Sequence, residues 1–563
     1  MINKIKITIP LIDTIKNYER PWLKKDLIAG VTVAAVAVPQ AMAYSQLAGV
    51  PLITGLYTAL VSMLIFAVFT TSRLAIVGPD AAMAALTGAA LLPLASGNPA
   101  EYLSLVSILA ILIGAACLVA LYARLGFIAE FISRPILLGY MAGLALAVIV
   151  SQAPKLFGLT LSSPSNFFTT GLHILTSVPQ YSWPTVLLSC VLIAAAILLQ
   201  RYVKKIPMSL VILVGSILAS YAFSFSSHDI AVVGTVPTGL PIPQLPSLSL
   251  LNLQSLVVPA LMISLVSYAN TIATTRSFAS HQKESIETTQ EFFGLGAANI
   301  GSGIFGGMPV AASGARTAVN FSSKAVTQVS QLFGAVAIAI VLVFLAQTLS
   351  YLPLASLAVI VIMAVKNLFN YRELKSIKHA WRSEAVLAVV TLFGVTVLGI
   401  FQGLLLAVLL AFMNLVRKNT QPKYAVLGIA ENGSIRDMSR PPKTKEIPGL
   451  IIFRFDSPLN FVNSIFFRDA VYRLIDEAEV AVVSWFLWDA ETITALDSTS
   501  GQMLLELIKD LEAKKIVFAV ARMKGPIRET IRNSHRLNDA LESAPHFTLM
   551  GDAIAAFYES RKS

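Results

Sequence analysis

The sequence predicts a polytopic α-helical membrane protein with a small cytoplasmic α/β domain at its C-terminal end. Composition, the apolar segments and a change of composition near residue 420 support this fold class. Of 563 residues, 56% are hydrophobic and 13% are charged, whereas about 25% are charged in ordinary soluble domains. The mean hydropathy is +0.73. A soluble globule could not cover this much apolar surface, and a disordered chain would be far more polar.

Apolar segments recur along the first 420 residues, and several are shorter than the ~20 residues that a spanning helix needs. We count fourteen, at 27–45, 52–70, 79–95, 103–122, 136–153, 184–200, 208–225, 252–275, 289–305, 314–326, 329–347, 352–365, 384–400 and 403–416.

The positive charge belongs to this apolar part of the chain. Residues 1–420 carry a net charge of +12 and residues 421–563 a net charge of −1. This distribution argues against nucleic-acid binding and for membrane topology. If the N-terminus is cytoplasmic, the outer loops receive a single basic residue, Lys155. The inner loops then receive Arg73, Arg124, Arg134, Arg201, Lys204, Lys205, Arg276, Lys283, Lys366, Arg372, Lys375, Lys378, Arg382, Arg417 and Lys418.

This topology predicts three regions. They are a cytoplasmic N-terminal segment at 1–26, a transmembrane domain at 27–420 and a soluble domain at 421–563. An even number of spans places both termini in the cytoplasm, and we expect a multi-pass protein of the cell (inner) membrane.

Strand and helix patterns alternate after residue 421, which is typical of an α/β domain. The expected strands are 450–455, 480–489 and 515–521, and the expected helices are 464–477, 501–513 and 525–534. The loop Asp497–Gly501 stands out because its serines and threonine could cap a helix or could be phosphorylated.

The sequence shows no enzyme or metal signature. Cys117 and Cys190 lie in apolar runs, and the six histidines lack metal-ligand spacing. We find no P-loop and no catalytic triad, so we predict neither catalysis nor a cofactor.

Two segments, 72–82 and 308–317, share an unusual design. Each has a short extended stretch, a Gly or Pro break and then a short helix of small residues. They begin the third and the tenth segment, which are corresponding positions in two halves of seven. Paired broken helices in corresponding positions indicate the binding site of a secondary transporter.

Half-helices that begin near the middle of the membrane would direct their free N–H groups and positive dipole ends at the break. Two such ends facing each other form an anion site. Arg316 would add a fixed charge to the second half-helix, or else it snorkels or pairs with Asp80. Asp80 is expected as a helix cap, as the partner of Arg316 or as a proton-coupling acid.

Two further pairs of polar side chains could line a cavity. Gln40 and Tyr44 lie four residues apart on the first segment, beside Pro39, which can kink the helix. Asn270 and Thr274 have the same spacing on the eighth segment. Hydrogen bonds between helices are the alternative for both pairs.

Taken together, these motifs resemble the sulfate permease (SulP) family. The matching stretches are VPQAMAYSQLAGVPLITGLY at 38–57, TSRLAIVGPDAA at 71–82 and ASGARTAVN at 312–320. DAETITALDSTSG at 489–501 resembles the core of a STAS domain, in which a Ser of an Asp-Ser-Ser-Gly-like loop is phosphorylated. Ser498 and Thr499 match those hydroxyls, although Ser500 stands where that family has Gly.

The resemblance implies fourteen spans in 7+7 inverted repeats (the UraA-like fold), a core domain that moves against a gate domain, and a homodimer. It implies that the anion is bound by Gln40, Tyr44, Pro79, Asp80, Ala81, Ser313, Gly314, Ala315 and Arg316. One departure is Asn270, where many cation-coupled members carry Asp or Glu. Because neutral Asn cannot titrate, this departure argues against proton or sodium coupling through position 270. Exchange, uniport and coupling through another acid such as Asp80 stay open.

The expected function is therefore secondary transport of a small anion, sulfate or a related oxyanion, by alternating access. Bicarbonate or a dicarboxylate is the alternative substrate. An anion channel and a sensor that signals through the STAS domain are alternatives of other classes. A nucleobase permease would share the fold, but the STAS domain and Arg316 argue against it. The expected partners are the anion, the lipid bilayer, a second copy of the chain and a cytoplasmic protein at the STAS domain.

Overall fold

The computed structural model describes residues 7–94, 98–123, 134–159, 167–202, 207–244, 246, 250–282, 286–369, 371–380, 382–439, 444–478 and 483–561. The chain divides into two compact units, Met1–Ala411 and Phe412–Ser563. The last long helix ends at Thr420, and the first strand of the second unit begins at Tyr424.

Helices dominate the first unit, which also contains the two short strands β1 (Val77–Gly78) and β2 (Ala311–Ala312). The helices up to residue 420 are α1 (Pro10–Lys16), α2 (Arg20–Ala48), α3 (Leu52–Phe69), α4 (Ala81–Leu91), α5 (Pro99–Tyr122), α6 (Arg134–Leu156), α7 (Phe167–Thr176), α8 (Trp183–Tyr202), α9 (Met208–Phe223), α10 (Leu250–Gln282), α11 (Thr288–Ile304), α12 (Gly314–Ser322), α13 (Val329–Ile340), α14 (Leu354–Val365), α15 (Tyr371–Ala380), α16 (Arg382–Leu398) and α17 (Ile400–Thr420).

Every one of the fourteen predicted apolar segments overlaps one of these helices. In the described part of the chain, eight helices are long and apolar enough to cross a membrane. Shorter apolar helices include Ala81–Leu91, Met208–Phe223 and Leu354–Val365. The polytopic fold is thus confirmed, and the count of fourteen spans stays a prediction consistent with it. Four predicted inner-loop residues, Arg124, Lys204, Lys205 and Lys283, lie outside the described residues.

Close backbone contact holds several helices together. α5 packs along α11, and a Cβ added at Gly114 would lie 2.5 Å from the carbonyl oxygen of Gly296. Glycine therefore lets the two helix backbones approach each other, as small residues do in membrane bundles.

Buried carboxylates fix the ends of other helices. Asp26 of α2 is fully buried and accepts hydrogen bonds from the amides of Val326 (2.7 Å) and Thr327 (3.1 Å), just before α13. Glu291 of α11 is also fully buried and accepts one from the amide of Thr71 (2.8 Å), just after α3. Each acid satisfies amides that would otherwise be buried without a partner.

The second unit is built on one mixed sheet. Its strands are β3 (Tyr424–Ala430), β4 (Ile435–Asp437), β5 (Thr444–Lys445), β6 (Leu450–Phe455), β7 (Trp485–Asp489), β8 (Val517–Ala521) and β9 (His546–Phe547). They lie in the order β4-β3-β6-β7-β8-β9, and β5 also pairs with β3. Strands β6 to β9 are parallel, and the pairs that involve β3 are antiparallel.

The helices of this unit are α18 (Ser464–Asp476), α19 (Ser498–Ala513), α20 (Gly525–Arg532), α21 (His535–Glu542) and α22 (Met550–Ser560). The alternation of strands and helices confirms the predicted α/β class. The sequence analysis missed β3, β4, β5, β9, α21 and α22, which are mostly short or lie at the edge of the sheet.

Three predicted starting points in this unit were wrong, and the helices expected to end at 477 and 534 end at Asp476 and Arg532. The strand expected from residue 480 begins at Trp485, and residues 479–482 lie outside the described part. The strand expected from Lys515 begins at Val517, because Lys515 adopts a left-handed turn with φ of 60°. The helix expected from Gly501 begins at Ser498, because the carboxylate of Asp497 caps it.

An ion pair between a buried carboxylate and a half-buried arginine lies at the carboxyl end of the parallel strands. Asp489 is fully buried, and its carboxylate accepts two hydrogen bonds from the guanidinium of Arg522, at 3.0 and 2.5 Å. Arg522 holds a left-handed backbone with φ of 59°, which costs free energy for any residue with a Cβ. The pair therefore stabilises an unfavourable turn.

We expect Arg522→Ala to destabilise this end of the sheet by about 3 kcal/mol, because the buried carboxylate of Asp489 loses its partner. Amide exchange of the strand Trp485–Asp489 should become roughly a hundredfold faster. The control is Arg454→Ala, which breaks an exposed pair with Asp456 and should change exchange little. Equal exchange in the two variants would contradict a structural role for the pair of Asp489 and Arg522.

Candidate functional site

The two broken segments meet in a two-stranded antiparallel sheet, here called the hairpin for brevity although its strands are far apart in the chain. Val77 of β1 pairs with Ala312 of β2, and Gly78 pairs with Ala311. The amide of Ser313 also donates to the carbonyl of Ile76 at 2.9 Å. Because α4 and α12 begin directly after these strands, the pairing brings the N-termini of both helices to one place.

Each of these helices begins at a polar cap. The carboxylate of Asp80 accepts from the amide of Ala82 at 3.2 Å, and the hydroxyl of Ser313 accepts from the amide of Arg316 at 3.5 Å. Of the three roles expected for Asp80, the structure shows capping. The carboxylate of Asp80 also interacts electrostatically with Arg316 from beyond ion-pair distance, so pairing between them stays a prediction.

Arg316 lies in the first turn of α12 and is completely buried. Its NH2 nitrogen donates to the carbonyl of Pro79 at 2.7 Å, across the break of the other segment. Its Nε and NH1 nitrogens are buried without any partner. A Cβ added at Gly78 would lie 2.9 Å from NH1, so glycine leaves the room that the guanidinium occupies.

The start of α12, just before Arg316 in the sequence, borders open space. Gly314 and Ala315 are exposed, and no atom lies within 4 Å of a Cβ added at Gly314. Pro79 and Ala81, at the start of α4, are buried instead. The first amides of a helix lack partners within the helix, so the accessible donors of this site belong to α12.

The polar pair of α2 lies near the same place. Tyr44 is buried, with 4% of its surface exposed, and it interacts electrostatically with both Asp80 and Arg316. Gln40, one turn earlier, is 8% exposed, and its Oε1 has no hydrogen-bond partner. The helix continues through Pro39 without a break. Tyr44 therefore lies within electrostatic range of Arg316, and the Gln40 side-chain carbonyl oxygen is unpaired.

The structure does not join the predicted pair on α10 to the hairpin by hydrogen bonds. Asn270 and Thr274 are half-buried. The hydrogen bonds to the second strand come instead from Thr271, whose hydroxyl accepts from the amide of Ala312 at 3.0 Å, and from Ser267, which donates to the carbonyl of Val310 at 2.6 Å.

Sequence reasoning missed the residues that hold the hairpin in position. Asn299 of α11 bonds both the amide (3.0 Å) and the carbonyl (3.3 Å) of Val310. Thr317 accepts from the amide of Ile76 at 3.1 Å, and Asn320 donates to the carbonyl of Leu74 at 2.9 Å. A small polar residue inside an apolar segment is their common signal, but the sequence does not reveal the distant partner.

In the loop Asp497–Gly501 of the second unit, some hydroxyls are accessible and one is not. Ser498 and Thr499 are exposed, whereas Ser500 is buried and donates to Asp497 at 2.8 Å. Burial opposes ionisation of Asp497, but hydrogen bonds from Ser500 and from the amide of Phe461 outweigh it and lower the pKa of the carboxyl. The cap is therefore Asp497, and the expectation of a Ser or Thr cap was wrong.

Paired half-helices that begin at one buried cation, in corresponding positions of two halves, define the class of inverted-repeat membrane transporters. The chain belongs to the sulfate permease family, which matches residues 23–391, and it carries a STAS domain at residues 441–541.

Individual relatives agree over most of the chain. A protein of Mycobacterium tuberculosis named a probable sulfate transporter is 35% identical over 97% of this chain and 98% of its own length. The murine Slc26a9 anion transporter, solved in the inward-facing state, has a TM-score of 0.89 at 20% identity and covers 97% of this chain and 93% of its own. The transmembrane domain of the cyanobacterial bicarbonate transporter BicA has a TM-score of 0.61 at 23% identity over 70% of this chain and 97% of its own.

We expect Thr271→Val to loosen the hairpin, because the buried amide of Ala312 loses its acceptor at a cost of about 1–3 kcal/mol. Amide exchange at Ala312 should become at least about fivefold faster. Thr274→Val, the same isosteric change three residues away, should leave that exchange unchanged. Identical exchange in both variants would show that Thr271 does not hold the strand.

Proposed function

We propose that this protein is a secondary transporter of small anions that carries sulfate or a related oxyanion by alternating access. One observation supports this most strongly: Nε and NH1 of the buried Arg316 lack partners beside the accessible N-terminus of α12. A guanidinium with two free N–H groups is the donor that an oxyanion accepts best.

We propose that the anion lies between the beginnings of α4 and α12. Arg316 would supply the charge, and the Gly314 and Ala315 amides would donate beside it. Pro79, Asp80, Ala81 and Ser313 would shape the break, with Gln40 and Tyr44 on the wall formed by α2. Asn270 and Thr274 would contribute from a more distant position on α10.

The charge at the site also suggests how transport is coupled. A full positive charge on Arg316 and about half a charge at each helix N-terminus sum to roughly +2, which matches a dianion such as sulfate. An ionised Asp80 would cancel half of this charge. We propose that a protonated Asp80 accompanies the dianion, because the neutral Asn270 cannot titrate.

We expect Arg316→Gln to weaken binding of labelled sulfate by more than about a hundredfold, since two charge-assisted hydrogen bonds are lost. Arg316→Lys keeps the positive charge but lacks the planar guanidinium, so its sulfate affinity should lie between those of the wild type and Arg316→Gln. The control is Arg201→Gln, which changes an exposed arginine of the same unit. Unchanged sulfate affinity in a folded Arg316→Gln protein would contradict the proposed site.

We expect an inward proton gradient to accelerate sulfate uptake into proteoliposomes. Asp80→Asn can still cap α4, so it should retain sulfate binding but lose the acceleration. Acceleration that persists in Asp80→Asn would exclude coupling through this carboxyl.

Bicarbonate and a dicarboxylate tested in the same vesicles identify the alternative substrates. Currents far above carrier turnover would indicate a channel, and anion-dependent partner binding without flux would indicate a sensor.

We also propose that the accessible hydroxyls of Ser498 and Thr499 accept a regulatory phosphate. With Arg468 they line one surface cavity of about 400 Å³, where a cation can pair with phosphate. Mass spectrometry of the protein from its native membrane should locate phosphate on one of these residues, and Ser498→Ala with Thr499→Ala should remove it. Phosphate on the buried Ser500 instead would contradict this assignment.

A further inference from the structure

The chain that leads into the first membrane helix, together with the first turns of that helix, forms a strap, defined here as residues 7–25. Its inner side is bonded to the rest of the first unit. Thr8 and Gln290 exchange two hydrogen bonds, at 3.3 and 2.8 Å. Gln328 donates to the hydroxyl of Thr14 at 2.8 Å. Tyr18 donates to the buried carboxylate of Asp26 at 3.0 Å. The strap is thus held at three points along its length.

The outer side of the strap is apolar. Ile9, Ile12 and Ile15 are 43%, 47% and 57% exposed. The spacing of three residues places Ile12 and Ile15 about 60° apart around α1, and Ile9 is the N-cap residue of that helix. Leu23, at the start of α2, is 50% exposed. Several large aliphatic side chains on one outward face of a short segment are typical of a helix that lies in a membrane interface.

Positive charge accompanies this apolar face. The strap exposes four basic side chains, Lys16, Arg20, Lys24 and Lys25. Its exposed acids are Asp13 and Glu19, so its net charge is positive. The sequence places Lys4 and Lys6 immediately before it. Basic residues grouped next to the first spanning helix attract anionic lipid headgroups.

We propose that the N-terminal strap is an interfacial anchor that binds anionic lipid headgroups in the leaflet where α2 begins. Its isoleucines would enter the boundary between headgroups and acyl chains, and its lysines and Arg20 would bind the phosphates. Apolar insertion and electrostatic attraction together are what stable interfacial binding requires.

The hydrogen bonds of the strap connect this anchor to a helix that contacts the segment leading into the proposed anion site. Gln290 lies in the first turn of α11, the helix whose Asn299 holds Val310 beside β2. Gln328 directly precedes α13. Lipid bound to the strap would therefore act on α11, which holds Val310 next to β2. This consequence rests on the proposed transport function, whereas the lipid contact does not.

The lipid contact is tested by spin labels in a Cys117→Ala, Cys190→Ala background. Labels at Ile12→Cys and Ile15→Cys, in liposomes with one third phosphatidylglycerol, should collide with oxygen and be protected from a water-soluble nickel chelate. A label at Glu506→Cys, on the exposed face of α19, should show the reverse. Access of the chelate to Ile12 and Ile15 overturns the proposal. Protection from both reagents also overturns it, because another protein surface then covers the face.

The role of charge is tested by replacing Lys16, Arg20, Lys24 and Lys25 with Gln. In the wild type, sulfate uptake should rise several-fold as phosphatidylglycerol replaces phosphatidylcholine, and the quadruple variant should lose that dependence. The matched control replaces Lys423, Lys509, Lys524 and Arg528, four exposed basic residues of the second unit. Equal lipid dependence in the strap variant overturns the role of charge. No sulfate uptake by the wild type in any lipid contradicts sulfate as the proposed substrate, while the spin-label result stands separately.

Discussion

A fully buried guanidinium with one hydrogen bond is the feature on which the rest of the first unit depends. A charged side chain inside a membrane costs about 3 kcal/mol even by the lower estimates. Arg316 offsets part of that cost through the carbonyl of Pro79 and leaves Nε and NH1 unpaired. Such an arrangement is retained where a ligand completes it, because an unsatisfied buried donor is costly.

Tertiary hydrogen bonds hold this cation in place from both halves of the unit. The strands β1 and β2 come from positions more than 230 residues apart, and each contributes only two residues. A pair this short is not stable on its own. It persists because Thr271, Asn299 and Thr317 satisfy its backbone from three helices. The same bonds set the separation of the two helix N-termini, and hence the size of the site.

The local features of this site could be predicted from the sequence, and the long-range ones could not. Gly and Pro breaks before small-residue helices indicated both half-helices, and the position of Asp80 indicated a cap. The spacing of Asn270 and Thr274 indicated a cavity wall, but the neighbouring Ser267 and Thr271 make the contacts with the hairpin. Polar residues that are close in sequence on one helix point in different directions around its axis. Helix packing, which the sequence does not reveal, decides which of them faces the site. In the second unit, Lys515 and Asp497 shifted element boundaries through turn and cap geometry.

The account is tested most directly by locating a bound oxyanion. Crystals grown with selenate, which has the shape and charge of sulfate, would reveal its position through the anomalous scattering of selenium. We predict one peak within hydrogen-bond distance of Nε and NH1 of Arg316, beside the amide of Ala315. Selenate bound elsewhere in the first unit, with both nitrogens still unpaired, would contradict the central claim.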